Sequence, residues 1–208
     1  MEKFKLLIDI LERLLAPGGC PWDREQTMQS MRHSLVEETF EVVEAIDLNE
    51  NKHMEEELGD LLFNVIFLCK LAEKEGRFNI ESVLQSVTDK LIARHPHVFG
   101  KGYLETSEEV LKQWEKIKQV EKEERRSLLD GIPKDLPALA RGQKIAKKIA
   151  KTSFISHSGG ENFSPEEQVG EFLWKNLQDI AKKGIEAEYA LRKRLAQIES
   201  EFRAWEKE

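Results

Sequence analysis

The spacing of one residue type, proline, constrains this fold most. Six prolines, at positions 17, 21, 96, 133, 137 and 165, divide 208 residues into long uninterrupted stretches. Proline inside a helix removes a backbone donor and clashes with the preceding turn, so long stretches without it leave room for helices. Glu, Lys, Leu and Ala, all strong helix formers, dominate what lies between. Those stretches also carry the helical period: Leu58, Leu61, Leu62, Val65, Leu68 and Cys69 recur at helical spacing. The expected fold class is all-α.

Local signals place the elements. The spacing predicts helices over 2–15, over 52–74, over 80–93 and over 106–124. Another is expected to run from a cap at Asp23 or Thr27 to Asp47, after a turn at Cys20-Pro21-Trp22-Asp23. Thr106 with Glu109 reads as a capping box, and the segment after Arg94-His95-Pro96-His97 as a loop. Asp130-Gly131-Ile132-Pro133-Lys134 reads as a linker. Beyond it the pattern predicts helices over 137–151, 165–182 and 186–206, the second started by Ser164 as cap and Pro165 at the first helical position. Ser156-His157-Ser158-Gly159-Gly160 reads as loop. The expected division is a first domain over 1–126 and a second over 127–208.

An internal repeat links the two halves. Glu56-Glu57-Leu58-Gly59-Asp60-Leu61-Leu62 aligns with Glu167-Gln168-Val169-Gly170-Glu171-Phe172-Leu173, and the same offset brings Leu84 onto Leu195 and Leu91 onto Phe202. The second half therefore reads as a shortened, degenerate copy of the first.

Charge and cysteine usage narrow the classes of partner. A net charge of −7 argues against broad nucleic-acid binding, which needs a surplus of Lys and Arg. No apolar run approaches the roughly 20 residues that span a membrane, and the N-terminus shows no basic-then-apolar leader pattern. Cys20 and Cys69 form no CxxC pair, which fits a reducing cytoplasm. An acidic protein that handles a phosphorylated ligand needs either a local basic pocket or a bridging cation.

Two acidic clusters supply the second option. Glu37-Glu38-x-x-Glu41 and Glu57-x-x-Asp60 each fall within one predicted helix. At about 3.6 residues per turn, Glu38 and Glu41 share nearly one face, as do Glu57 and Asp60. Two antiparallel helices joined by a short turn can point these pairs at one another. Four carboxylates around one point suit a hard cation such as Mg²⁺ or Mn²⁺, and repel one another without it. In so Glu-rich a chain either cluster alone would more often be a solvated face. The flanking apolar residues, Leu35, Val36, Phe40 and Val43 for the first and Leu58, Leu61 and Leu62 for the second, suggest instead that the acids sit among core positions.

Gly-Cys-Pro-Trp-Asp (19–23), Glu-Glu-x-x-Glu (37–41), Glu-Leu-Gly-Asp-Leu-Leu (57–62), Glu-Gly-Arg-Phe (75–78) and Arg-His-Pro-His-Val-Phe (94–99) occur in this order. The set closely resembles the MazG family of all-α nucleoside triphosphate pyrophosphohydrolases, over about Leu6 to Lys118. The resemblance implies a four-helix-bundle-like catalytic unit that works as a homodimer and cleaves nucleoside triphosphates, NTP or dNTP, to monophosphate and pyrophosphate. On that expectation Mg²⁺, with Mn²⁺ as a substitute, is held by Glu38, Glu41, Glu57 and Asp60. Glu37 or Glu38 orients the attacking water. Lys90 and Arg94, one turn apart, neutralise phosphate oxygens, while Trp114 stacks on a base and Lys118 reaches phosphate. The expected setting is cytoplasmic, in nucleotide-pool housecleaning. The alternative is a nucleotide-sensing regulatory module with little turnover.

Other motifs carry less. His95-Pro96-His97 has no third metal ligand, and Cys20 has no organised base. Glu50-x-x-His53 has the spacing used in di-iron bundles, which need a second such motif that the chain lacks. Lys144, Lys147, Lys148 and Lys151 read as the solvated face of an amphipathic helix. Under the repeat Glu57 becomes Gln168, Asp60 becomes Glu171, Lys90 becomes Glu201 and Arg94 becomes Trp205. No acidic residue lies between Asp135 and Glu161, so the second copy is expected to lack the carboxylate-bearing helix and the cation site.

Overall fold

A computed structural model describes residues 2–120, 127–154 and 163–206. All regular structure among them is helical, in ten elements: α1 (Glu2–Leu15), α2 (Pro21–Glu25), α3 (Met31–Leu48), α4 (Asn51–Lys74), α5 (Ile80–Arg94), α6 (Pro96–Phe99), α7 (Ser107–Val120), α8 (Ala138–Ile149), α9 (Pro165–Lys182) and α10 (Ala187–Trp205). None of the described helices is long and apolar enough to cross a membrane. The chain divides into two compact units, Met1–Lys118 and Gln119–Glu208. The expected boundary after residue 126, the end of the fifth predicted helix and the loop over 156–160 fall on or beside residues outside the described ones.

In the first unit, α3 and α4 form a hairpin that sets the site. Asn49 ends α3 in the left-handed region, φ 57°, with its N–H bonded back to Ala45 and Ile46 carbonyls. Asparagine tolerates that conformation better than most residues, and it turns the chain within two residues into α4. The core gathers at the other end of the hairpin. Leu11 of α1, Met31 of α3 and Ile66, Phe67 and Leu71 of α4 are buried together, with Phe63 edge-on to Phe67 at 5.7 Å. Lys70 binds Glu12 at 2.6 Å and Glu73 at 2.7 Å, fastening α1 to α4 beside that core.

Local capping follows the sequence in places and departs from it in others. Thr106 Oγ1 accepts from Glu109 N–H at 3.3 Å, and Glu109 Oε2 accepts from Thr106 N–H at 3.2 Å, the expected reciprocal box. Ser164 and Glu167 make another at the start of α9. The stretch expected as a turn at 20–23 instead begins a short helix, α2, because Pro21 at its first position brings a preset φ and no donor to leave unpaired. Asp23 lies inside α2, so neither it nor Thr27 caps α3. Thr27 accepts from Ser30 N–H at 3.1 Å in the intervening turn. Pro96 starts the single turn α6 for the same reason, and α6 runs through Val98 and Phe99 into the segment expected as loop.

The second unit contains α8, α9 and α10. Gly142 of α8 comes so close to α9 that a Cβ there would stand 2.7 Å from Leu177 Cδ1. Gln143, 3% exposed, donates to the Ile185 carbonyl and accepts from Ala187 N–H at 3.1 Å, tying α8 to the α9–α10 connection. The repeat that pairs α4 with α9 and α5 with α10 also pairs α3 with α8, with Lys148, Ile149 and Thr152 standing for Glu37, Glu38 and Glu41. The helix expected over 137–151 thus stands in the place of α3, shortened and, as expected, without carboxylates.

Within this unit Lys147 binds Glu186 at 3.0 Å, and Lys148 the Leu128 carbonyl.

Candidate metal centre

Glu38 and Glu41 share one face of α3 because they are three residues apart, and Glu57 comes from the first turns of α4, just beyond the Asn49 reversal. The hairpin brings one oxygen from each of these three within 4.8 Å of one another. Glu57 is 9% exposed, and Glu38 and Glu41 are half-buried. Asp60, one turn along α4 from Glu57, is more exposed and stands outside that closest group, yet its charge reaches Glu38.

The electrostatics are those of an uncompensated cluster. The Glu38 carboxyl is pushed up from 4.5 to about 7, first by burial and then by the charges of Asp60, Glu41 and Glu57. Burial and three facing carboxylates together raise it, and a cation among these oxygens would relieve that repulsion. The donors are all carboxylate oxygens on a rigid helix pair, which fits Mg²⁺ or Mn²⁺ and gives little to soft metals. Glu37 takes no part. It points along the outer side of α3 and contacts His33 at 3.5 Å, with its side chain 56% exposed.

The apolar residues beside the acids divide: Leu35, Val43 and Leu61 are half-buried, while the rest are open, contrary to expectation. Val36, Phe40, Leu58 and Leu62 are exposed, and Val65, Leu84, Val87 and Leu91 extend that apolar character along α4 and α5. The residues of α4 that join α1 in the core come from its far half, and α3 is the helix it contacts most.

The expected phosphate and base contacts separate into two groups. Lys90 is exposed on α5, and Arg94 is half-buried in its last turn. Trp114 and Lys118 come together on α7, the Lys118 ammonium lying 5.5 Å from the indole centroid and so over the ring itself. His95 meets the same indole edge-on at 5.0 Å, and His97 holds Gln113 through Nδ1 at 2.9 Å. Trp114 Nε1 is buried without a hydrogen-bond partner among the described residues.

Two contacts here had not been read from the sequence. His53 Nε2 stands 3.1 Å from Glu57 Oε1, an i,i+4 pair hidden behind the more familiar Glu50-x-x-His53 spacing. Asn64, one turn beyond Asp60, donates to Ser34 Oγ at 3.0 Å across the hairpin. Nothing in a single sequence pairs two polar residues on different helices.

Comparison with known proteins gives consistent relatives. The family model for the MazG nucleotide pyrophosphohydrolase domain matches residues 26–99, which include all four carboxylates. The nucleoside triphosphate pyrophosphohydrolase of Escherichia coli K12 is 37% identical over 232 residues of alignment, covering 100% of this chain and 88% of the relative. The nucleoside triphosphate pyrophosphohydrolase/pyrophosphatase MazG of Thermotoga maritima is 42% identical over 154 residues, 73% of this chain and 58% of that protein. The crystal structure of a MazG-related protein from Thermotoga maritima is 30% identical with a TM-score of 0.49, over 55% of this chain and 98% of the other.

Proposed function

This chain belongs to the MazG family of nucleotide pyrophosphohydrolases, and from that premise we propose that it hydrolyses nucleoside triphosphates, ribo or deoxy, to the monophosphate and pyrophosphate. The observation that carries this reading is the convergence of Glu38, Glu41 and Glu57 from two helices, with Asp60 beside them.

Glu38, Glu41, Glu57 and Asp60 would hold Mg²⁺, or Mn²⁺ in its place. When bound, such a cation supplies Lewis-acid stabilisation of phosphate charge and lowers the pKa of water. A triphosphate brings about four negative charges, so the bare cluster would repel it. Of the two glutamates weighed for the attacking water, Glu38 is our choice, because Glu37 is turned to His33. Water oxygen bonds to the α-phosphorus, its proton passes to Glu38, and the bond from that phosphorus to the bridging oxygen breaks to release pyrophosphate. Lys90 and Arg94 offset charge on the phosphates, and Arg94 offers a planar pair of donors. Trp114 gives the base a ring to stack on once Lys118 swings from it toward phosphate.

A second copy is the proposed cover for the apolar face of α3, α4 and α5. Val36, Phe40, Leu58, Leu62, Leu84 and Leu91 lie open on one chain, and large apolar side chains exposed along three successive helices are the kind a second copy buries. A homodimer in the cytoplasm, clearing the nucleotide pool, is the setting we infer. The test is a panel of NTPs and dNTPs with Mg²⁺, identifying both products. Monophosphate plus pyrophosphate is expected; diphosphate plus orthophosphate, or full activity in excess chelator, overturns the reading.

A further inference from the structure

We propose that His53 is a positioning residue for the carboxylate site, fixing the Glu57 carboxylate for the cation through its contact with Oε1. The proposal rests on the reading that Glu57 holds a cation. Glu50, His53 and Glu57 are spaced three and four residues apart, so they line up along one stripe at the start of α4. His53 Nε2 is 3.1 Å from Glu57 Oε1, and Nδ1 is 3.7 Å from Glu50 Oε2. The imidazole is thus set between two carboxylates, with one ring nitrogen facing each.

The contact is sheltered: the His53 side chain is 30% exposed and that of Glu57 12%. The last torsion of a glutamate is broad, so a lone carboxylate samples many orientations before it meets a metal. A ring N–H held against one oxygen removes much of that freedom and leaves the other oxygen to the cation. Outer partners of this kind routinely orient ligating groups, and their loss costs metal affinity. Both the Nε2–H tautomer and the imidazolium donate from the required atom, so the role does not depend on the charge of the ring. A plain i,i+4 pair on a helix would do something different: it would add slightly to helix stability and leave metal affinity alone.

The experiment uses the full chain and Mn²⁺ alone as probe, without nucleotide. Free Mn²⁺ is followed by electron paramagnetic resonance for wild type, His53→Ala, His53→Gln and Glu57→Ala, with thermal melts in chelator for each. His53→Ala is expected to bind Mn²⁺ about 10–100-fold more weakly. His53→Gln should recover part of the loss, because its amide can donate to Glu57, and both should melt near wild type in chelator. Wild-type Mn²⁺ affinity in His53→Ala, with weakened binding in Glu57→Ala, overturns the proposal while sparing the cation site. So does a His53→Gln no better than His53→Ala, or a loss that only tracks lowered melting. Wild-type affinity in Glu57→Ala removes the cation reading itself.

Discussion

Asn64 of α4, only 2% exposed, donates its side-chain amide to Ser34 Oγ of α3 at 3.0 Å. Ser34 lies one turn before Glu38, and Asn64 one turn after Asp60, so this bond fixes the height at which the two acidic pairs meet. A slip of one turn would carry them about 5.4 Å apart. Ser34→Ala leaves a buried amide without its acceptor, which should cost about 1–3 kcal/mol in urea denaturation. Mn²⁺ affinity should fall with it, since the register is loosened. Unchanged stability and affinity would show that the bond does not set the register.

Glu38 gives the chain a pH dependence whose sign can be worked out. Its folded value is about 7 against an ordinary 4.5. Below the lower value both states hold the proton, and the group has no effect. Between the two, the folded chain keeps a proton that the unfolded chain has lost, so stability falls as pH rises through this window and stays low above it. In chelator the protein should therefore melt lower at pH 8 than at pH 5.5, and Glu38→Gln should flatten that slope while abolishing turnover. Mg²⁺ favours the charged form, so it should raise the melting temperature more at pH 8 than at pH 6. Parallel melting profiles for wild type and Glu38→Gln would contradict this.

Much of this geometry was legible beforehand, for physical reasons that differ from residue to residue. The long helices announce themselves because the apolar period of α4 and the Ser164-Pro165 start of α9 are local signals. The pairing of Glu38 and Glu41 with Glu57 follows from helical spacing once α3 and α4 are known to reverse at Asn49. The exposed stripe of Val36, Phe40, Leu58 and Leu62 was not legible as exposed, because periodicity marks an apolar face without saying what covers it. Glu37 and Glu38 are adjacent and chemically identical. Only the packed helix tells which of them faces the cluster and which faces His33.

Lys90 and Arg94 are expected to act on phosphate charge. Lys90→Ala and Arg94→Ala should each weaken triphosphate binding more than monophosphate binding, because fewer phosphate oxygens remain to be neutralised in the product. Losses of roughly 1.5–3 kcal/mol per contact are usual for charged hydrogen bonds. Fluorescence titration with a non-hydrolysable triphosphate and the matching monophosphate measures both. Equal losses for the two ligands would assign these side chains a structural role.

The second unit is predicted to bind no catalytic cation, and the reason lies in what replaces each acid. Lys148 and Ile149 stand where α3 has Glu37 and Glu38, and Gln168 stands for Glu57. Of the four ligand positions only Glu171 keeps a carboxylate, and it is contacted by Lys175 at 3.4 Å, the residue in the place of Asn64. One carboxylate already facing an ammonium repels nothing and offers a cation little. Gln168→Ala and Glu171→Ala should accordingly leave pyrophosphate release within about twofold of wild type. The Glu171–Lys175 pair is partly exposed, so its removal should cost no more than about 1 kcal/mol. Mn²⁺ titration should find the metal sites of the intact chain unchanged in both variants, whereas Glu41→Ala should remove them. Val169, Phe172, Leu173, Leu195 and Phe202 remain open on α9 and α10, so this unit is expected to serve assembly. Light scattering on Leu173→Glu, which leaves every acidic position untouched, should report a smaller or weaker oligomer. A Glu171→Ala protein that folds and assembles normally yet releases no pyrophosphate would overturn the assignment.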